Sequence, residues 1–356
     1  MAIIGSCVLP NKQDNQNAEI WFDAVEEMVF DDESLQEEYP EARVKENAKG
    51  KSQKLEALQA AYLVCLFQNW EGSEITQRRI RRRRYSTVVA VARDLVLGSA
   101  IHQTFWLIND ASNFDWQAYI LKEETIRTLS YVFLLDSAFV IFHNTPPRIF
   151  GLELEMHINC PEVAFQAGSA NECFQHLKKW AGEVVDHPSV SSAIEGICKR
   201  DTEICLERTY SQFGLLNMFV VISALCVSIH QLQNVLVPPT AFENVERGMK
   251  NWKTAWDKMH ASSLDGNTGD PLEEAWRRDG FMKSASEYWL LCNVLLEVIR
   301  SDAGEYSVDK RTLVKAGSVR ENSSNPTVVN IPLREESIQS RRSPDPRRSD
   351  QVQKIS

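Results

Sequence analysis

Between Trp116 and His143, apolar residues recur so densely that the second half of the stretch is apolar on every side. Tyr119, Ile120, Ile126, Leu129, Val132, Phe133, Leu135, Phe139 and Val140 carry the pattern. A helix without a polar face must be enclosed by other elements, so this stretch predicts a fold assembled around one central helix. Pro146-Pro147 cannot extend it, because proline lacks the backbone donor and its ring clashes with the preceding turn. A short extended link and a Cys160-Pro161-Glu162 turn follow.

Helical spacing recurs on both sides of this stretch. Ile20, Trp21, Ala24, Val25, Met28 and Val29 repeat every three to four residues, with Pro40 helping to end the helix, and 41–51 reads as a polar connector. A second stripe (Leu55, Leu58, Ala61, Tyr62, Cys65, Leu66) breaks near Glu71-Gly72. Ser73 is placed as the cap of a helix running to Leu97 and stopped by Gly98. Later helices are predicted from Ser169 through Trp180, from Val190 to Glu207, over 240–260 and from Phe281 to Ile299, with a loop from Ser262 to Asp270. Phe213 to Ile229 contains no charge, but Asn217, Ser223 and Ser228 interrupt it and no basic cluster flanks it. At the short end of spanning length, it is predicted as a buried core helix and not as a membrane span.

No alternation long enough for a sheet occurs, so the expectation is an all-α fold. One multi-helix domain is expected over 20–300, between a mobile N-terminus (1–19) and a disordered Ser/Pro/Arg-rich tail (301–356). The formal charge of −10 argues against a general phosphate-binding body. The acidity is uneven, with twelve Asp/Glu against four Lys/Arg in residues 1–50. The eight cysteines form no Cys-x-x-Cys pair and no signal peptide precedes them, so free thiols in a reducing compartment are expected.

Four separated pieces resemble, in order, the regulatory (middle-homology) domain of fungal-specific transcription factors. Arg82 to Leu97 resembles its Arg-rich helix, which ends in Ala-Arg-Asp-Leu-x-Leu. Glu123 to Phe165 resembles its core helix and turn through Arg127, Leu135-Asp136, Asn144, Pro146-Pro147-Arg148-Ile149, Glu153 and Cys160-Pro161-Glu162. Phe219 to His230 is similar to a later apolar helix in the regulators whose readers are Cys-Cys-His-His zinc fingers. Gly280 to Leu290 is similar to the terminal helix, through Glu287-Tyr288-Trp289.

The resemblance implies a nuclear regulator of RNA polymerase II genes, including metabolic or secondary-metabolite clusters, that contacts coactivators, repressors or a second protomer. Two departures stand out. His157-Ile158-Asn159 replaces the acidic-hydrophobic approach to the turn, and neither a six-cysteine cluster nor a Cys-x-x-Cys finger occurs. The expectation is therefore either a regulator whose DNA reader lies in a missing N-terminal module, which would hold the only zinc, or a stand-alone helical co-regulator that binds no DNA itself. No other cofactor and no membrane are expected.

Several residues are singled out for chemistry. Arg78, Arg79, Arg81, Arg82, Arg83 and Arg84 could serve nuclear import or phosphate contact. Equally, they could form a solvated helix face, splayed around the cylinder and paired with acidic 31–38. Arg341, Arg342, Arg347 and Arg348 in the tail are a second import candidate. Asp136, inside an apolar helix, needs a partner because an unpaired buried carboxylate is costly; Arg148 or Arg93 would serve. His157, Cys160, Cys173 and His176 have the pair spacing of a zinc site, although Cys160 precedes a proline in a turn that the resembled family uses without metal and Cys173 lies on a predicted helix with apolar neighbours. Gly-x-Ser-x-Gly, phosphate-cradling loops and His-Glu-x-x-His are all missing, so no enzyme is expected.

Overall fold

The computed structural model describes residues 20–36, 48–95, 100–102, 110–183, 187–199, 210–234, 240–265 and 280–299. The expectations for 1–19, Pro40, Gly98, Cys7, Cys205 and the tail with Arg341, Arg342, Arg347 and Arg348 lie outside these residues. Among the described residues the fold is all-α, with a single isolated bridge between His157 and Ser189.

The first helices are α1 (Phe22–Phe30) and α2 (Ala48–Glu71). Next comes α3 (Glu74–Arg79), which passes through a π-helical turn (Ile80–Arg84) into α4 (Tyr85–Asp94). The central helix α5 spans Trp116–His143. Asp115 starts it by accepting from the Ala118 N–H at 3.0 Å, and Asn144, at φ 48°, closes it in the left-handed conformation. Ile126, Leu129, Val132, Phe133 and Phe139 on α5 have no exposed surface. Tyr85 of α4 reaches inward to donate its hydroxyl to the Val132 carbonyl at 2.6 Å.

Beyond α5, the turn helix α6 (Glu162–Phe165) precedes α7 (Ala170–Glu183), whose start is capped by Ser169 accepting from Glu172 N–H at 3.3 Å. Helix α8 spans Val190–Cys198 and α9 Gly214–Gln233, while α10 runs from Thr240–Asp265 and α11 over 285–299. The apolar α9 packs on α5, α8 and α10. Both α5 and α9 are long and apolar enough to cross a membrane, and 72% of each apolar window is buried inside the protein. Two indoles lock this layer: Trp252 donates to the Met218 carbonyl at 2.8 Å and Trp289 to the Met249 carbonyl at 3.0 Å.

Several boundaries differ from the expectations. Helix α2 begins at Ala48, inside the expected connector, because Ala48, Lys49 and Lys51 favour helix and no proline intervenes. Helix α10 continues to Asp265 where a loop was expected from Ser262, since no breaker occurs before Gly266. Helix α8 stops at Cys198, with Lys199 as its C-cap, and the remainder of the helix expected to Glu207 lies outside the described residues. Its last carbonyls are taken from the side: Asn251 donates to Ile197 at 2.8 Å and Arg247 to Cys198 at 3.0 Å. The expectation of free thiols holds at Cys65, Cys160, Cys173 and Cys198 but fails where α9 meets α11. There Cys226 and Cys292 form a disulfide across a Cα separation of 5.6 Å.

Candidate functional site

Among the described residues, polar centres interrupt the apolar interior, and three of them involve residues that the sequence singles out. The first lies at the π turn. Glu26 of α1 has no exposed surface, and its Oε1 accepts from Arg79 Nε at 2.8 Å and Arg84 Nε at 2.9 Å. The wider π turn is what lets residues five apart point the same way. Only Arg79 and Arg84 are brought together, and they pair with Asp23, Glu26 and Glu27 of α1 and not with the described acidic residues of 31–36. Arg81 donates to Asn69 at 2.8 Å, which leaves Arg78, Arg82 and Arg83 as the exposed arginines of the run. Of these, Arg78 sits 3.5 Å from Glu74.

The second centre is Asp136. Its Oδ2 accepts from the backbone N–H groups of Arg148 and Ile149 at 2.8 and 2.9 Å, holding the chain just past the two prolines against α5. The Arg148 guanidinium stands 3.9 Å from Oδ1. Burial raises the Asp136 pKa, while the two backbone donors and Arg148 work in the opposite direction. Arg93 does not reach Asp136. It grips Glu153 with Nε and Nη2 at 2.9 and 3.1 Å and donates to the Arg148 carbonyl at 2.6 Å, because the turn after the prolines offers it a bidentate carboxylate.

The third centre, beneath the Cys-Pro-Glu turn, is the candidate site. Glu123, fully buried on α5, accepts at Oε1 from Arg127 Nε (2.8 Å) and from the Cys160 N–H (3.0 Å). Its Oε2 lies 2.7 Å from His102 Nε2. Arg127 also holds Glu162, donates to the Cys160 carbonyl at 2.9 Å and lies 4.2 Å from the Phe165 ring centre. Burial opposes the Arg127 charge, but Glu123 and Glu162 keep its pKa above the ordinary value. Beside this pair, Asn159 N and Nδ2 both donate to Asn217 Oδ1 at 2.8 Å, and Asn217 Nδ2 returns a bond to the Asn159 carbonyl at 2.8 Å. Thus the His-Ile-Asn approach, read as a departure from the family pattern, supplies a buried amide pair joining the turn to α9.

A ring of imidazoles borders the centre. His157 and His187 lie 4.4 Å apart in an edge contact, and His102 is 6.4 and 5.9 Å from them. Burial, then the neighbouring His157 and His102, drive the His187 pKa down to about 2. Burial, then Glu123, push the Cys160 thiol well above its usual range, and the same two causes raise Cys173 to about 12. Protonated, buried thiols make poor nucleophiles.

His157, Cys160, Cys173 and His176 do not converge into one ligand set. Cys160 instead gathers with His102 and Glu123, whose donor atoms all lie within 4.8 Å of one another, while His176 stays half-buried on α7. Sequence reading missed His102, Glu123 and Asn217 as members of this centre. The available signal was a Glu123/Arg127 pair four residues apart, hence on one face of the central helix. Elsewhere, a cleft of about 340 Å³ lies between α10 and α11, with Lys250, Lys253, Asp257 and Trp289 in its walls.

Compared with known proteins, the chain is 37% identical over 307 residues, 83% of its length, to transcription factor verF of Penicillium polonicum. It spans 42% of that protein. No family model matches the chain, and no solved structure matches it. Over most of its own length the chain is therefore related to a fungal protein that carries the name of a transcription factor.

Proposed function

We propose that this chain is a middle-homology regulatory region of a fungal transcription factor. In this reading it works in the nucleus, governs RNA polymerase II genes including a secondary-metabolite cluster, and catalyses no reaction. The helical body spanning 20–300 acts by contacting coactivators, repressors or a second protomer. DNA is reached through a separate reader module or partner.

The observation that carries this reading is the similarity to verF across 307 residues, which takes in the whole central helix and its turn. The geometry is consistent with a contact-based role, since the buried carboxylates tie separate parts of the helical body together: Glu123 holds Arg127, the Cys160 N–H and His102, and Asp136 holds the backbone past the two prolines. A second reading, a co-regulator that binds no DNA itself, is favoured by one observation. Arg79 and Arg84 are spent on Glu26 and cannot also neutralise a phosphate backbone.

Deleting the coding sequence and profiling transcripts tests the proposal. A coherent set of genes, concentrated at one biosynthetic locus, should change in abundance. An unchanged transcript profile under conditions where the protein is expressed would reject it.

A further inference from the structure

The centre beneath the Cys-Pro-Glu turn contains the donor chemistry of a metal site. Three buried side chains from separate parts of the chain, His102, Glu123 on α5 and Cys160 at the turn, present a nitrogen, an oxygen and a sulfur atom within 4.8 Å of one another. Their spacing in sequence gives no hint of this, and it is not the quartet that the Cys and His spacing suggested.

The two oxygens of Glu123 have different surroundings. Oε1 is fixed by Arg127 Nε at 2.8 Å and by the Cys160 N–H at 3.0 Å, whereas Oε2 faces His102 Nε2 at 2.7 Å. This is how a carboxylate ligand is usually oriented, with one oxygen held by outer partners and the other turned toward the ion. The Cys160 backbone is clamped on both sides, its N–H on Glu123 and its carbonyl on Arg127 at 2.9 Å, so its sulfur is carried on a fixed turn.

We propose that His102 Nε2, Glu123 Oε2 and Cys160 Sγ bind one borderline divalent transition metal ion, zinc foremost. A mixed nitrogen, oxygen and sulfur set suits zinc, which accepts all three donors in tetrahedral geometry at roughly 2.0–2.3 Å. The ion would enter between Oε2 and the imidazole, replace their hydrogen bond and displace the thiol proton to solvent. Ligand atoms about 2 Å from a tetrahedral ion sit more than 3 Å apart, so the pair now at 2.7 Å must open slightly. The fourth position is left for water. The ion would staple the turn to α5, independently of the proposed regulatory role.

Cobalt(II) is the probe, because it takes zinc positions and a cobalt–thiolate bond absorbs in the near ultraviolet. The full chain, stripped with a chelator and titrated with cobalt, is expected to develop thiolate charge-transfer and tetrahedral visible bands that saturate at one equivalent and are bleached by zinc. Cys160→Ser should abolish the charge-transfer band, while Cys173→Ser should keep it. His102→Gln should weaken cobalt binding at least tenfold, which gives a reading even if the cysteine variant fails to fold. Absence of the bands in the unsubstituted chain, their survival in folded Cys160→Ser, or unchanged affinity in His102→Gln would overturn the site.

Discussion

Arg84 Nε lies 2.9 Å from Glu26 Oε1, on a carboxylate with no solvent-exposed surface. The basic run that looks like a free cationic strip is thus partly the anchor of α1 on the rest of the fold. Removing the carboxylate leaves the partly buried Arg79 and Arg84 with only the exposed Asp23 and Glu27 for partners. Glu26→Ala should cost about 3–5 kcal/mol of unfolding free energy, the scale of breaking a buried pair. Arg82→Ala and Arg83→Ala, at exposed positions, should each stay within about 0.5 kcal/mol. Urea unfolding of the three variants checks the contrast.

Asp136 differs in that its principal partners are backbone donors. Asp136→Ala strips the acceptor from the Arg148 and Ile149 N–H groups and should cost about 2–6 kcal/mol, at roughly 1–3 kcal/mol per buried group left unsatisfied. Asp136→Asn keeps one acceptor oxygen and should cost less than half as much. Equal losses in the two variants, measured by urea unfolding, would mean that the charge and not the two backbone bonds holds the turn.

The depressed pKa of His187 makes a pH prediction. Its folded pKa, near 2, lies below the unfolded value of about 6.5, so folding requires the neutral ring. Stability from this group is fully present above pH 6.5 and is lost as pH falls below it, because the unfolded chain takes up the proton first. Between pH 6.5 and 5 the parent protein should lose up to about 1.4 kcal/mol per pH unit more than His187→Gln. Parallel pH profiles of the two proteins would contradict the burial of a neutral imidazole there.

Gly248 on α10 is the close contact between α8, α9 and α10. A Cβ added there would lie 2.8 Å from Cys198 Sγ and 3.1 Å from Leu225 Cδ2. Alanine gains about 1 kcal/mol in helix propensity over glycine, but overpacking costs about 1–3 kcal/mol, so the clash should win. Gly248→Ala is expected to lower the thermal midpoint, whereas Gly182→Ala, with nothing within 4 Å of the new carbon, should raise it or leave it unchanged.

The central helix was legible from sequence because its period, its proline stop and its apolar girth all point the same way, and the structure ends it at His143 as expected. Asp136 was legible as a residue needing partners, since nothing apolar can satisfy a buried carboxylate. The backbone donors that meet it were not, because any non-proline residue could supply them. The π turn was hidden because Arg79 and Arg84 are brought together only by Glu26, more than fifty positions earlier. The same holds for His102, which gains meaning only when the fold sets it against Glu123. The early end of α8 depends on Asn251 and Arg247 from another helix, so local propensity could not reveal it.

The central claim is that the helical body itself regulates transcription. The most direct measurement fuses residues 20–300 to an unrelated DNA-binding domain in a fungal host and reads a reporter placed behind that domain's sites. Reporter output should move several-fold from the level set by the DNA-binding domain alone, and Glu123→Ala combined with Arg127→Ala, which dismantles the turn's support, should return it to that level. A fusion that accumulates in the nucleus, occupies the sites and leaves output unchanged would contradict the claim.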